Sequence, residues 1–307
     1  MVRCDLDVPI KDGKVIEFFR LNAGLKTLTY IIDRGGIPVI AGHVDRPGGK
    51  PVLELSTAVL KSYFDNNLKG RYELLENLRF DPGEEKNDPT FVNLLAQKGQ
   101  IYVNESFATC HREAASITGI ASALPSYAGF QLVKEVETLN KTVMTPARPL
   151  LAIIGGAKIE SKKPVLHKFA QIADGVLVGG KLALEESILM DKVCCPVDYI
   201  DNKDIGPKTL GIWEKMILGA KTIVWAGPVG LFEDDKYSVG TRRVGELVAS
   251  AAAKGCFAVA GGGDTVTALN KFGLLNKFSF VSTGGGAMLD LLVYGTLPGI
   301  DALCLKS

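Results

Sequence analysis

Short apolar runs that each end at a glycine cluster dominate the second half of the chain. The five clusters are Gly155-Gly156, Gly179-Gly180, Gly227-Pro228, Gly261-Gly262-Gly263 and Gly284-Gly285-Gly286. Continuous apolar runs of this length are typical of strands that are buried on both faces, as in a parallel sheet. Glycine lets the backbone approach a ligand closely, and open α/β sheets bind ligands beyond the carboxyl ends of their strands. The pattern therefore predicts a phosphate or nucleotide site at one sheet edge.

The first half shows the same alternation of strands and helices. Apolar runs predict strands at 3–8, 37–41, 72–75 and 101–104, and helical spacing predicts helices at 22–34, 56–64, 88–96 and 128–139. Ser56 is a candidate N-cap for the second of these helices. Prolines at 146 and 149 follow the last helix, and a second sheet would begin at Leu150. A chain of 307 residues exceeds one typical core, so two α/β domains are expected.

Composition narrows the class of protein. The chain is 47% hydrophobic and 22% charged, and no apolar stretch reaches the roughly 18 residues that a membrane span needs. The first residues lack a basic-then-apolar signal, so a cytoplasmic location is expected. A net charge of +1 argues against a nucleic-acid partner. The six cysteines show no C-x-x-C spacing, which indicates reduced thiols rather than disulfides or a zinc site.

Arginine is concentrated before residue 113. Seven arginines fall there, at Arg3, Arg20, Arg34, Arg46, Arg71, Arg79 and Arg112. Four of them lie in or just after predicted strands, and Arg20 begins a predicted helix. Because guanidinium groups suit bidentate recognition of carboxylates and phosphates, we expect these arginines to line one anion-binding basin. The alternative is a chance distribution of solvated surface charge.

The segment that follows the strand at 150–154 resembles a phosphate loop without being one of the standard kind. Its sequence, Gly155-Gly156-Ala157-Lys158-Ile159-Glu160-Ser161-Lys162, lacks the G-x-x-x-x-G-K-[ST] spacing. Glycine amides and the two lysines could face a phosphate at a helix N-terminus. The alternative is a tight turn followed by surface lysines.

Two triple-glycine segments lie between a predicted strand and a predicted helix. In the first, Asp264 could hold a magnesium ion that bridges nucleotide phosphates, or it could be the helix N-cap. In the second, the amides of Gly284 to Gly286 would favour an anion. The loop from Trp225 to Glu233 could form a nucleotide wall, with Glu233 at a ribose hydroxyl, or could be a structural turn.

The histidines exclude some enzyme classes. His43 and His111 lie in arginine-bearing loops, whereas His167 lies on a predicted helix. No spacing typical of a zinc hydrolase or a Ser-His-Asp hydrolase occurs. A dinucleotide-dependent dehydrogenase is disfavoured because no G-x-G-x-x-G follows the first strand.

Taken together, the motifs resemble the phosphoglycerate kinase family nearly end to end. They are R-C-D-L-D-V-P (3–9), G-H-V-D-R-P (42–47), L-E-N-L-R-F (75–80), Y-V-N-E-S-F-A-T-C-H-R (102–112), G-G-A-K (155–158), D-I-G-P (204–207), W-A-G-P-V-G-L-F-E (225–233), G-G-G-D (261–264) and S-T-G-G-G-A (282–287). Any single motif could arise by chance, but the ordered set is highly specific.

The resemblance implies two Rossmann-like α/β domains whose parallel sheets face a central cleft. The expected divisions are an acid-substrate domain at 1–127, an interdomain helix at 128–142, a nucleotide-binding domain at 143–280 and a return segment at 281–307. It also implies transfer of the acyl phosphate of 1,3-bisphosphoglycerate to ADP with Mg²⁺, in a monomer with small-molecule partners only.

The resemblance also implies site residues. Those for the acid substrate are Asp5, Asp7, Arg20, His43, Arg46, Arg79, His111 and Arg112. Those for the nucleotide are Gly155, Ala157, Lys158, Lys162, Gly179, Pro228, Glu233, Gly262, Gly263, Asp264 and Thr265, with Asp264 at the metal. Catalysis would fall to Arg20, Lys162, Gly285 and Gly286.

Several positions depart from the family pattern. Asp7 stands where asparagine is common, Asp45 where glycine is, Ala114 at a histidine position, and Ala226 at an asparagine position. The segments 47–76 and 180–204 are also short. Both aspartates would weaken anion binding by repulsion. These departures leave open a second hypothesis, a weakly active or inactive relative that still binds nucleotide.

Overall fold

The computed structural model describes residues 1–157, 159–184 and 190–304, except for the side chain of Ser161. The chain forms two compact units. Unit 1 contains Met1–Glu137 and the residues from Thr296 onward, and unit 2 contains Thr138–Gly295. The domain limits inferred from the sequence, at 127, 142 and 280, remain a proposal.

A five-stranded parallel sheet forms the centre of unit 1. Its strands, in spatial order, are Glu73–Leu74, Val39–Ala41, Val2–Arg3, Tyr102–Asn104 and Ser126–Ala128. The central strand is apolar and buried at Val2, which pairs with Ile40 and Val103. Its second residue, Arg3, therefore lies at the carboxyl end of the sheet. A small antiparallel hairpin, Ile10–Lys11 with Lys14–Val15, follows.

Helices cover this sheet. The α-helices that lie in or begin in unit 1 are Phe19–Asp33, Lys61–Asn67, Gly83–Lys86, Pro89–Ala96, Ile120–Ala123, Phe130–Met144 and Pro298–Cys304, with a π-helix at Ala115–Gly119 and short 3₁₀ turns at Leu53–Leu55, Thr57–Leu60, Leu78–Phe80 and Phe107–Thr109. The first helix buries Leu21, Gly24 and Leu28, which recur at helical spacing and face the sheet. Arg20 lies in the first turn of this helix. Burial of the apolar face therefore fixes the position of the Arg20 backbone.

Unit 2 has a six-stranded parallel sheet. Its order is Val193–Cys194, Gly175–Val178, Leu150–Ile154, Thr222–Ala226, Phe257–Gly261 and Phe280–Val281. Ile154, Ala226 and Gly261 lie side by side in the register, so the glycine loops leave the sheet at one edge. The α-helices are Ile159–Ile172, Pro207–Gly219, Val239–Ala253, Gly263–Lys271 and Gly285–Tyr294, with 3₁₀ turns at Gly180–Leu184, Asp235–Tyr237 and Leu275–Lys277 and a hairpin at Tyr199–Ile200 with Asp204–Ile205.

The predicted α/β class with two parallel sheets is confirmed, but several elements differ in extent. The predicted strand at 3–8 is observed only at Val2–Arg3. Cys4 N still donates to Ala41 O at 2.8 Å, and the chain turns further on, where Val8 N donates to Leu6 O at 2.9 Å. Ser56 does cap a helix, but of the 3₁₀ kind, at Thr57–Leu60. The helix predicted at 128–139 runs from Phe130 to Met144.

Among the described residues, no single helix has both the length and the apolar composition to cross a membrane. One bent pair, Gly285–Tyr294 with Pro298–Cys304, meets those criteria by length and composition only.

Candidate functional site

Loops at the carboxyl end of the unit 1 sheet bring several predicted residues together around His43. This histidine follows the strand Val39–Ala41 and is almost fully buried. Burial lowers the pKa of His43 well below its ordinary value, and the nearby guanidiniums of Arg3, Arg79, Arg112 and Arg20 lower it further. The expectation that the early arginines converge is therefore met by these four.

Arg20 is held by the carboxylate of Asp5 and by the main chain of Asp7. Its Nε lies 3.5 Å from Asp5 Oδ2, and its Nη1 donates to the main-chain oxygen of Asp7 at 2.5 Å. Burial raises the pKa of the Asp5 carboxyl, and the Arg20 guanidinium opposes that rise. Asp5 in turn raises the pKa of Arg20. The group is thus a guanidinium that stays charged and is oriented from within unit 1.

The loop that follows His43 links Asp7 to Arg79 through main-chain groups of Asp45. Asp45 N donates to Asp7 Oδ1 at 2.9 Å, and Asp45 O accepts from Arg79 Nη1 at 2.8 Å. Asp45 has a left-handed backbone, with φ of 54°, and is exposed. Its carboxylate therefore contributes less to the basin than that of Asp7, which lies 3.4 Å from Arg20 Nη1 and 3.9 Å from His43 Nε2.

Arg79 and Arg112 line a cavity of about 250 Å³. Its other lining residues are Arg3, Glu84, Glu85, Thr109, Glu113, Ala114 and Ile117. Burial lowers the pKa of Arg79, and Glu85, whose Oε1 lies 3.3 Å from Arg79 Nε, partly offsets this. Arg46 is exposed and His111 is half-buried in the loop before Arg112. Guanidiniums that border a cavity can bind an anion of small size.

In unit 2, the glycine loops pack against one another rather than standing open. An added Cβ at Gly155 would overlap the carbonyl of Pro228, and one at Gly179 would lie 2.6 Å from Val229 Cβ. Their amides are already used: Gly155 N donates to Ala226 O at 3.0 Å and Gly179 N to Ile154 O at 2.9 Å. The hypothesis that the Gly155-Gly156 amides face a phosphate is therefore wrong for these two, since Gly156 N also donates to Pro228 O.

Two helix N-termini meet beside these loops. Gly262 is the N-cap of Gly263–Lys271, and Gly284 is the N-cap of Gly285–Tyr294. An added Cβ at Gly285 would lie 2.9 Å from Gly262 Cα, so the two first turns are in close contact. Because the first amides of a helix have no partner within it, this junction concentrates donors suited to an anion. Gly286 is exposed there.

Asp264 and Thr265 play different parts at this junction. Asp264 is exposed in the first turn and is not the N-cap, so the N-cap alternative from the sequence is wrong. Thr265 is buried, and its Oγ1 accepts from Gly227 N at 2.7 Å. It therefore fixes the turn after the strand Thr222–Ala226, while Asp264 is left available to solvent and ligands.

The remaining predicted nucleotide residues lie around the same edge of the unit 2 sheet. Lys162 is buried, with Nζ 3.4 Å from Ala226 O, and Ala157 lies in the preceding loop. Pro228 is buried and Glu233 is exposed. Lys158 lies outside the described residues.

Sequence reasoning missed Asp204 and Glu105. Asp204 accepts from Gly240 N at 2.7 Å, and burial raises its pKa to about 6. Glu105 accepts from Thr27 Oγ1 at 2.6 Å and from Gln131 N at 3.1 Å, and burial raises its pKa to about 7. Both carboxylates hold helix N-termini. Each lies within a quoted motif, but nothing in the pattern reveals which helix it caps.

Comparison with known proteins gives a consistent result across the chain. The family model described as phosphoglycerate kinase matches residues 1–69, 56–192 and 185–294. A phosphoglycerate kinase of Borrelia garinii subsp. bavariensis is 36% identical over 377 positions, covering 99% of this chain and 95% of the relative. One of Thermosipho africanus is 35% identical over 381 positions, covering 100% of this chain and 95% of the relative. Both alignments are longer than this chain of 307 residues, so the relatives contain segments that it lacks.

Solved structures agree. The phosphoglycerate kinase structure from Coxiella burnetii superposes with a TM-score of 0.83 and 30% identity, covering 98% of this chain and 94% of that one. The structure from Pyrococcus horikoshii OT3 superposes with a TM-score of 0.84 and 27% identity, covering 99% and 95%.

Proposed function

The chain belongs to the phosphoglycerate kinase family, and from that membership we propose how its two units share the reaction. It is a phosphotransferase that moves the acyl phosphate of 1,3-bisphosphoglycerate to ADP, giving 3-phosphoglycerate and ATP, and it also catalyses the reverse reaction. The observation that carries this conclusion is end-to-end similarity to phosphoglycerate kinases at about 35% identity. No comparison favours an inactive relative or a dehydrogenase.

Unit 1 would bind the acid substrate at the basin around His43. The guanidiniums of Arg20, Arg79 and Arg112 supply charge for a phosphate and a carboxylate. Arg46 and His111 would approach from the loop edges, and Asp5 orients Arg20 through their 3.5 Å contact. The convergence of four guanidiniums on one buried imidazole supports this assignment.

Unit 2 would bind the nucleotide at the junction of the two helix N-termini. Gly262, Gly263 and Thr265 shape the first turn, and the amides of Gly285 and Gly286 lie in the second. Gly155, Ala157, Gly179 and Pro228 would form the floor by close packing, with Lys158, Lys162 and Glu233 at the phosphates and ribose. Gly263 has open space where a side chain would be, which suits the approach of a phosphate.

Asp264 fits a magnesium ion that arrives with the nucleotide. Among the described residues, no three His, Cys, Asp or Glu side chains are grouped to hold a metal by themselves. Magnesium commonly uses one or two protein carboxylates together with substrate phosphates and waters, and one exposed carboxylate meets that need. The ion would neutralise phosphate charge, while Asp264 would hold and place it.

Transfer of the acyl phosphate mainly requires alignment of the two substrates and stabilisation of the charge on the transferring group. An acyl phosphate is a reactive donor, so no covalent intermediate on the protein is required. On this proposal Arg20 and Lys162 neutralise the oxygens of the transferring phosphoryl group, and the amides of Gly285 and Gly286 donate to it. Exclusion of water from the bound substrates would suppress hydrolysis.

A coupled assay of ATP formation from 1,3-bisphosphoglycerate tests the proposal directly. We expect turnover that requires Mg²⁺, and a KM for ADP that rises in Asp264→Asn but not in Glu246→Gln, an exposed carboxylate elsewhere in unit 2. Calorimetric ADP binding without any turnover would instead identify an inactive nucleotide-binding relative. Sedimentation would test the further proposal of a monomer, and cell fractionation that of a cytoplasmic location.

A further inference from the structure

A buried chain of hydrogen bonds runs from Glu84 to His43 in unit 1. Ser116 donates to Glu84 twice, from Oγ to Oε1 at 2.6 Å and from N to Oε2 at 3.0 Å. Arg3 Nε donates to Ser116 Oγ at 2.8 Å, and Arg3 Nη2 lies 2.7 Å from His43 Nδ1. All four residues are at most 4% exposed. The position of His43 is therefore fixed from behind the basin.

Ser116 is the centre of this chain. It lies in the π-helix Ala115–Gly119, an unusual element that often occurs near functional sites. Its carbonyl accepts from Tyr102 Oη at 2.8 Å, so its amide, hydroxyl and carbonyl are all engaged. Ser116 thereby fixes the guanidinium plane of Arg3.

The contact between Arg3 and His43 determines the protonation of the imidazole. A guanidinium has donors and no acceptor, so His43 Nδ1 must be the accepting nitrogen. A neutral ring then carries its hydrogen on Nε2, which lies 3.9 Å from Asp7 Oδ2 at the basin. The other charged groups that face this ring are Arg20, Arg79 and Arg112, and their positive charge opposes protonation.

Each of the three guanidinium nitrogens of Arg3 already contacts a neighbour within unit 1, and the residue is buried. Its Nε bonds Ser116, its Nη1 bonds the carbonyl of Cys4, and its Nη2 bonds His43. We propose that Arg3 is a positioning residue, which together with Ser116 and Glu84 holds His43 as a neutral imidazole that presents Nε2–H to the acid substrate. The identity of that ligand depends on the proposed function, but the protonation state of His43 does not.

For substrate binding, His43 would then act as an uncharged hydrogen-bond donor. A neutral Nε2–H can orient a carboxylate or phosphate oxygen, while the neighbouring arginines supply the positive charge. Affinity for the acid substrate should then be independent of histidine titration between about pH 5.5 and pH 8, where an ordinary histidine changes charge.

The test is ¹⁵N NMR of the imidazole rings in the full chain, which has only three histidines. His43→Gln assigns the relevant ring. In the wild type we expect this ring to keep the Nε2–H tautomer without titrating between about pH 5.5 and pH 8. In Ser116→Ala and Arg3→Lys we expect mixed tautomers or protonation within that range. Ser126→Ala is the control, since its hydroxyl donates only to local carbonyls.

Kinetics give a second readout. In Ser116→Ala, the KM for 3-phosphoglycerate should rise roughly tenfold while kcat and the KM for ADP change little, and Ser116→Thr, which keeps the hydroxyl, should restore it. A wild-type His43 that carries its proton on Nδ1 or titrates normally would overturn the proposal, as would a Ser116→Ala protein with an unchanged tautomer. The wild-type spectra test the tautomer and protonation of His43 even if a variant fails to fold or the protein lacks kinase activity.

Discussion

Arg20 and Asp7 are joined through both the main chain and the side chain of the aspartate. Arg20 Nη1 donates to Asp7 O at 2.5 Å and lies 3.4 Å from Asp7 Oδ2. The main-chain contact orients the guanidinium whatever side chain stands at position 7. The Asp7 carboxylate, in contrast, neutralises part of the positive charge of Arg20 that would otherwise attract an anionic substrate.

Replacing this carboxylate should strengthen binding of the acid substrate. In Asp7→Asn, Oδ1 can still accept from Asp45 N, while the negative charge beside Arg20 and His43 is lost. We expect the KM for 3-phosphoglycerate to fall several-fold, which corresponds to about 1 kcal/mol. Asp12→Asn, in the turn of the exposed hairpin, is the matched control. A KM that rises in Asp7→Asn would show that the carboxylate is itself a substrate contact.

Removing either proposed catalytic cation should lower the rate without unfolding the protein. For Arg20→Ala and for Lys162→Ala we expect kcat to fall by about 10²–10⁴-fold, because each removes charge that stabilises the transferring phosphoryl group. Steady-state kinetics at saturating substrate measure the loss. An unchanged kcat in either variant contradicts its assigned role.

The double variant tests whether both cations act on the same group. Residues that act together give non-additive losses, so Arg20→Ala with Lys162→Ala should lose less than the product of the single effects. Arg34→Ala, at the other end of the helix that begins near Arg20, is the control for a lost arginine. Strict additivity would indicate that Arg20 and Lys162 serve separate steps.

Glu105 should make the stability of unit 1 depend on pH. Burial raises its pKa to about 7 from an ordinary 4.5, so between these values the folded chain binds a proton that the unfolded chain does not. The stabilisation from protonated Glu105 is complete below about pH 4.5 and is lost as pH rises through about 7. The wild type should therefore lose up to roughly 3 kcal/mol across that window from this group.

Glu105→Gln should flatten this dependence, because glutamine resembles the protonated acid. Thermal unfolding at a series of pH values measures this dependence. The Tm of the variant minus the Tm of the wild type should increase as pH rises from about 5 to about 8. Glu137→Gln, exposed on the helix Phe130–Met144, is the control. Parallel curves for Glu105→Gln and the wild type would mean that Glu105 is ionised throughout.

The sequence predicted five of the six strands in the large sheet of unit 2, because those five are continuous apolar runs, but it did not predict Val193–Cys194. Leu150–Ile154 and Gly175–Val178 are observed where the runs predicted them. Unit 1 was harder. Its strands have only two or three residues, and the polar residues after Arg3 belong to a turn whose hydrogen bonds leave no periodic signal.

The candidate site shows the same limit. Arginine clustering predicted the basin, yet it could not separate Arg20, which faces a carboxylate pair, from Arg3, whose three guanidinium nitrogens each contact a group inside unit 1. The glycine pattern predicted close approach of backbone, but not that the partner of Gly155 is the Gly227-Pro228 turn. Such assignments depend on tertiary contacts between segments that are distant in sequence.

The packing of the Gly155 and Gly227 turns yields a stability prediction for unit 2. Gly227 has φ of 99°, and an added Cβ would overlap the carbonyl of Gly155. Gly227→Ala should therefore cost at least about 2 kcal/mol, from backbone strain and displacement of the neighbouring turn. Gly211→Ala, inside the helix Pro207–Gly219 with open space around it, should instead stabilise by about 0.5–1 kcal/mol.

Fluorescence during denaturant unfolding measures both effects, since the only two tryptophans, Trp213 and Trp225, are buried in unit 2. Trp225 reports on the turn itself, because its Nε1 donates to Gly227 O at 2.8 Å. We expect a lower midpoint for Gly227→Ala and a slightly higher one for Gly211→Ala. Equal midpoints for Gly227→Ala and the wild type would mean that the two turns can separate without cost, and glycine at 227 would then need an explanation other than packing.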